Sequence, residues 1–137
     1  MRRCEQPRWR RQRGQSMLET AMMMVVIFTL LFWVIEVGYF TYTYSVLANA
    51  ADEGVRYSIV HSGGDSAGTQ TVVKNYVNTS PQNLSNSISV SVTFPDGSAV
   101  PPNHVDVTVT YTYAPFLSTF FTTTTMKTYA EGRMVVQ

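Results

Sequence analysis

Glu19 is an acid at the entrance of a long apolar run, four residues beyond Gln15 and five beyond Gly14. Hydrolysis between Gly14 and Gln15 would leave a new ammonium on Gln15, with Glu19 one helical turn away at i+4 as the nearest carboxylate. An ionised carboxylate inside a bilayer is costly, so acids in such segments have a partner or a function. Two readings of Glu19 follow. It is a helix-start residue, comfortable beside the positive helix end and the lipid headgroups. Or it pairs with the Gln15 ammonium of a neighbouring copy in a helical bundle and sets axial register, because a buried charge is tolerated when paired and penalised when alone. Glu36, 17 positions further on, either sits at the opposite boundary of the run or makes a polar contact inside a bundle.

The remaining reactive side chains point to no catalyst. His61 and His104 each stand alone, one at a helix end and one in a turn after Pro101-Pro102-Asn103. Asp96 and Asp106 read as solvated residues bracketing a turn. Cys4 is the only cysteine, so neither an internal disulfide nor a cysteine-based metal site is available. There is no P-loop, no G-x-S-x-G, no H-E-x-x-H and no dinucleotide fingerprint. No metal, no cofactor and no small-molecule substrate is expected.

The elements that must position Gly14, Gln15 and Glu19 begin with charge. Residues 1–14 hold six arginines against one acid, a net of +5, whereas residues 15–137 hold four basic and eight acidic side chains, a net of −4. Basic charge confined to the front beside an apolar run indicates membrane topology and argues against nucleic-acid binding. From Ala21 to Ile35 the only polar side chain is Thr29. About 20 residues at about 1.5 Å each cross a hydrocarbon core of about 30 Å, and residues 17–40 meet that length. Trp33, Tyr39, Tyr42 and Tyr44 gather at the far end as an interfacial belt, and the arginines place the front in the cytoplasm. A cleaved secretory signal is the rival, with Ala48-Asn49-Ala50 as its cleavage site. The run is longer than an ordinary signal core, and the helical pattern passes through that tripeptide unbroken. Phe40, Tyr44, Leu47, Ala51, Val55 and Ile59 share one helical face, and Asp52 and Arg56 are spaced to pair. The spacing predicts one helix from about residue 16 to about residue 61, stopped by Gly63-Gly64.

A loop over residues 62–68 then leads to a short helix with Val72, Val73, Tyr76 and Val77 on one face. Three strands follow by alternation. Ile88, Val90, Val92 and Phe94 mark the first, with a turn at Pro95-Asp96-Gly97. Val105, Val107, Val109, Tyr111 and Tyr113 mark the second, stopped by Pro115. Met126, Thr128, Ala130, Gly132, Met134 and Val136 share one face of the third, opposite Lys127, Tyr129, Glu131 and Arg133, and residues 122–125 begin it. The expected class is α+β: a long N-terminal transmembrane and amphipathic helix, a short second helix, and a small antiparallel sheet whose apolar face the helices cover. Residues 116–121 form an apolar connection that either folds back over the sheet or meets a partner subunit or the membrane.

The stretch Arg13-Gly14-Gln15-Ser16-Met17-Leu18-Glu19 resembles a prepilin-type processing site. Together with Ile35-Glu36-Val37-Gly38, Asn49-Ala50-Ala51-Asp52-Glu53-Gly54-Val55-Arg56-Tyr57, Thr112-Tyr113-Ala114-Pro115-Phe116-Leu117, Glu131 and Arg133, it resembles the TadE-like minor pseudopilins of the tight-adherence (Flp-type) pilus. Thr20 stands where an aromatic is common, and the apolar run has no early proline, which leaves TadE and TadF undistinguished. The resemblance implies a pilin-like fold and a leader, 1–14, cut between Gly14 and Gln15 by a membrane prepilin peptidase. It implies a transmembrane half of the helix at 15–40, an outer half at 41–61 and an extracytoplasmic domain at 62–137. The implied partners are the major Flp pilin, a sister minor pseudopilin, the peptidase and the inner-membrane secretion platform with its ATPase. The implied role is pilus assembly for adhesion and biofilm formation, as a peptidase substrate in the inner membrane and then in the pilus. The alternatives are a permanently anchored single-pass envelope protein with a small external binding domain, and a domain secreted after cleavage at Ala48-Asn49-Ala50.

Overall fold

The structure, a computed structural model, describes residues 9–61, 64–80, 84, 87–97, 103–116 and 122–134, with backbone alone for 9–13. The leader through residue 8, residues 117–121 and Val136 lie outside the described residues. The order is α1 (Trp9–Val60), α2 (Ser66–Thr79), β1 (Ile88–Thr93), β2 (His104–Tyr113) and β3 (Thr124–Arg133). The fold is α+β, with a long apolar N-terminal helix, a short second helix and a three-stranded antiparallel sheet. The chain divides into two compact units, Met1–Val37 and Gly38–Gln137.

α1 starts seven residues earlier than the expected position 16, so Gly14 lies inside the helix. A single glycine costs a helix about 1 kcal/mol, and the arginines and glutamines around it are good helix formers that carry the helix through. The helix ends at Val60, one residue short of expectation, and the chain turns at Gly64 with φ 79°. α2 takes over part of the expected loop because Asp65 caps it: Asp65 Oδ1 accepts from the Gly68 backbone N–H at 2.8 Å. Thr69, Val73 and Val77 are its buried stripe, and Tyr76 faces out.

In the second unit the sheet order is β1-β2-β3, with Val90 opposite Val109, Val92 opposite Val107 and Val107 opposite Ala130. Period-two alternation puts Val105, Val107, Val109, Met126, Thr128 and Ala130 on the covered face. Leu47, Ala50, Ala51 and Val55 of α1, with Val73 and Val77 of α2, complete the core. The buried face of α1 is rotated from the expected one. It runs through Thr43, Leu47, Ala50, Ala51, Gly54, Val55 and Ser58, and Tyr44 lies exposed beside it. Small side chains win the inner positions because the sheet approaches closely. A Cβ on Gly54 would stand 2.6 Å from Val73 Cγ2 and 3.2 Å from Val107 Cγ1, and one on Gly132 would strike Val55 and Ile59.

Polar atoms in this core are paired. The Thr128 hydroxyl donates to the Leu47 carbonyl at 3.3 Å, and the Ser58 and Thr69 hydroxyls meet at 2.6 Å. Asp52 and Arg56 are both exposed and form no ion pair, consistent with the small net worth of such pairs in water. Gly54→Val is expected to lower the stability of this unit by about 1–3 kcal/mol through overpacking, seen as a lower urea midpoint at unchanged slope. Gly38→Ala, where nothing lies within 4 Å of the added carbon, is expected to be neutral or stabilising by under about 1 kcal/mol.

Candidate processing and assembly site

Each predicted site residue lies on α1, and each falls where the helix repeat puts it. Gly14, Gln15 and Glu19 are exposed, and no heavy atom lies within 4 Å of a Cβ built on Gly14. Gln15, Leu18, Glu19 and Met22 follow the i, i+3, i+4, i+7 pattern and share one stripe. The bond between Gly14 and Gln15 is therefore helical and open to approach from outside. Its carbonyl must leave the helical ladder before water can add to it, and glycine makes that local unwinding cheap.

From Gly14 to Ile35 every residue is exposed. The most apolar 18-residue window of α1 has a mean hydropathy of 2.3 and is only 6% buried. A soluble core helix hides such a surface, so among the described residues this is the one helix long and apolar enough to cross a membrane. Its polar side chains are handled within the helix. The Thr20 hydroxyl donates to the Ser16 carbonyl at 2.9 Å, and the Thr29 hydroxyl to the Val25 carbonyl at 2.8 Å, which spares both a bare hydroxyl in an apolar medium. Glu36 is 8% exposed, the only buried position among the described residues 14–37. The two acids thus part company: Glu36 is committed within the chain, and Glu19 is displayed. About 25 Å of helix separates them.

The second unit carries its own titratable groups, and sequence reading missed their partners. His104 is not alone. Its backbone N–H donates to Asp96 Oδ2 at 2.7 Å, and its Nδ1 lies 2.9 Å from the same oxygen. Those bonds hold the Asp96 carboxyl below its ordinary value, the backbone bond contributing most. The turn brings them together, since the Gly97 N–H closes it onto the Phe94 carbonyl at 3.1 Å with φ 82° at Gly97. Spacing across an irregular turn carries no period, so no signal in the sequence announces this pair. Asp106 is less solvated than a turn residue would be: its Oδ1 is buried without a hydrogen-bond partner. Register places it directly opposite Glu131. Tyr129 serves this acid pair, donating to Glu131 Oε2 at 3.2 Å. Its own ionisation is pushed up to about 12, first by a hydrogen bond to the Asp106 carboxylate. His61 stacks on Tyr57 with ring centres 3.9 Å apart, and the Tyr57 hydroxyl reaches Asp65 Oδ2 at 3.3 Å. These groups fasten turns, and no cluster of three metal-ligating side chains occurs among the described residues.

Compared with known proteins, residues 14–56 match the family described as TadE-like protein. The matched stretch opens on Gly14 and takes in Gln15, Glu19, Glu36 and the close-packed Gly54. No curated protein and no solved structure matches the chain. The likeness thus covers the apolar run and the first part of the helix beyond it, and residues 14–56 are similar to the TadE-like family.

Because the folded Asp96 carboxyl sits below its ordinary 3.8, its stabilising contribution is full above that value and is lost as pH falls through the lower, folded value. Asp96→Asn is expected to lower stability modestly at neutral pH and to flatten the acid limb, so that the two stability curves converge as pH falls below about 4. Thermal unfolding of the full chain across pH in detergent measures it.

Proposed function

We propose that this TadE-like chain is a minor pilin-like subunit of a tight-adherence pilus, delivered to the inner membrane with an arginine-rich leader that a prepilin peptidase removes. The observation that carries the reading is the TadE-like stretch opening on Gly14, with an exposed acid one turn past the bond to Gln15. In the proposed step, water adds to the Gly14 carbonyl and the bond to the Gln15 nitrogen breaks. The leader leaves with a terminal carboxylate, and Gln15 keeps an amine that is mostly protonated at neutral pH.

That cut changes two forces on the helix. It removes six arginines that hold the front on the cytoplasmic side. It also supplies a cation four residues from Glu19, so the acid can enter an apolar bundle as part of an ion pair. The exposed side chains from Met17 to Ile35 then trade lipid for neighbouring helices. In this reading the partners are the major pilin, a sister pseudopilin and the secretion platform, and the outer unit stays extracytoplasmic. The chain is the peptidase's substrate and performs no catalysis of its own.

Mass spectrometry of the native protein is expected to find Gln15 at the mature N-terminus. A retained leader would leave a permanently anchored envelope protein, and a start near Ala51 a secreted domain. Gly14→Val, in a place with free space around it, is expected to keep the leader attached while the outer unit folds as before. Glu19→Ala is expected to be processed normally and to be depleted from sheared pili. Full recovery of that variant in the pilus fraction would remove the register role.

A further inference from the structure

The first unit carries a helix start that the uncut chain does not use. α1 begins at Trp9 and runs through Gly14 and Gln15 without a break. In that ladder the N–H of Ser16 bonds back to the Gln12 carbonyl, that of Met17 to Arg13 and that of Leu18 to Gly14. The proposed cut takes those three carbonyls away with the leader. Three N–H groups at the mouth of an apolar run then lack acceptors, and the Glu19 N–H joins them once Gln15 leaves the helix. Bare donors are heavily penalised in hydrocarbon. Gln15 also gains an ammonium, which the positive end of a helix repels. The front of the helix is therefore driven to re-end beyond Gln15.

Ser16-Met17-Leu18-Glu19 is the sequence such an end requires. A serine followed three residues later by a glutamate, just ahead of an apolar run, is a capping box. With Ser16 as N-cap, its hydroxyl accepts from the Glu19 N–H, and the Glu19 carboxylate accepts from the Ser16 N–H. Two of the four orphaned donors are then met within the chain. Both residues are exposed, so no packed neighbour has to move. The Ser16 carbonyl is already held in its helical place, since the Thr20 hydroxyl donates to it at 2.9 Å. An N-cap residue keeps that carbonyl in the ladder and gives up only its own helical dihedral angles. The carboxylate also falls in the first turn of the shortened helix, where the dipole favours an anion. In the uncut chain the same two residues lie about two turns inside α1 and cap nothing.

We propose that removal of the leader re-ends α1 at this box: Ser16 leaves the helical conformation to become the N-cap, and Glu19 bonds back to it. The proposal rests on the cut between Gly14 and Gln15. It gives Glu19 a partner in its own chain between the cut and assembly, when no neighbouring Gln15 ammonium is at hand. Entry into a bundle is then an exchange of one partner for another, and the carboxylate need not stand bare in an apolar medium. The same change swings Gln15 off the helix axis, which frees its ammonium to reach a neighbour.

The test uses the isotope-labelled full chain in detergent micelles, with and without treatment by a prepilin peptidase, and mass spectrometry reads each N-terminus. Nuclear magnetic resonance then reads the Ser16 carbon shifts and the hydrogen exchange of the Ser16 and Glu19 amides. Processing is expected to move Ser16 from helical to extended shifts while Met17, Leu18 and Glu19 stay helical. In the processed chain Ser16→Ala is expected to speed Glu19 amide exchange about fivefold, and Ser16→Thr to leave it nearly unchanged. Glu19→Ala is expected to speed Ser16 amide exchange, and Glu19→Gln, which accepts the same bond without the charge, to keep most of the protection. The glutamine variant thus separates a cap from an ion pair, and the two Glu19 variants carry the test if the peptidase refuses Ser16→Ala. Before processing, the same substitutions are expected to leave both amides alone. A processed chain in which Ser16 stays helical, or in which the helix unravels past Glu19, overturns the cap and leaves the cut standing. So do amides that ignore the substitutions, or that respond equally before processing. If no chain begins at Gln15, the cut fails and the cap with it.

Discussion

A peptide backbone in hydrocarbon has no water to bond to, and this constraint governs the first third of the chain. α1 answers it by staying helical from Trp9 to Val60 with no proline inside. The threonine hydroxyls return to carbonyls four residues back. The same unbroken ladder then serves a second medium. Beyond Phe40 its buried positions are small or aliphatic and its neighbours are strands and α2. One element answers to two solvents, and its side chains change character where the solvent changes.

The outer unit depends on how closely that helix and the sheet approach. Ala50, Ala51 and Gly54 on the helix, with Gly132 on β3, remove the bulk that would hold them apart. The valines of β2 fill the space left. Thr128 uses the closeness to reach the Leu47 carbonyl, a hydrogen bond made across elements far apart in the chain. Within the second unit, packing and polar pairing thus fix together where the sheet lies against the helix.

Much of this was legible in the residues because it rests on periodicity. Alternation gave all three strands and their inward faces, and the apolar run gave the long helix. Two kinds of feature escaped. The helix start was misplaced because Gly14 reads as a break, whereas a lone glycine among good helix formers is only a small cost. The buried face of α1 is rotated from the one that helical spacing picks out. Tyr44 looked like core, but the sheet's nearness admits Thr43, Ala50 and Gly54 instead. The pairing of Asp96 with His104 was invisible for a different reason, since Asp96 lies in the turn at Gly97, outside the strand alternation. Of the candidate site, the spacing of Gly14, Gln15 and Glu19 was plain in the sequence. The contrast between a displayed Glu19 and a buried Glu36 needed the fold.

The order of the meander carries one more implication. Strands β1, β2 and β3 are neighbours in space in the order they are synthesised, and the hydrophobic strip they require, from Leu47 to Val55, precedes all of them. A chain that emerges in order of synthesis would present that strip as a finished template before any strand appears. Each hairpin could then dock as it arrives, with no long-range search. Severed from that strip, the same meander would keep only α2 over its valines and leave the rest of that face bare to water and to any protease it met.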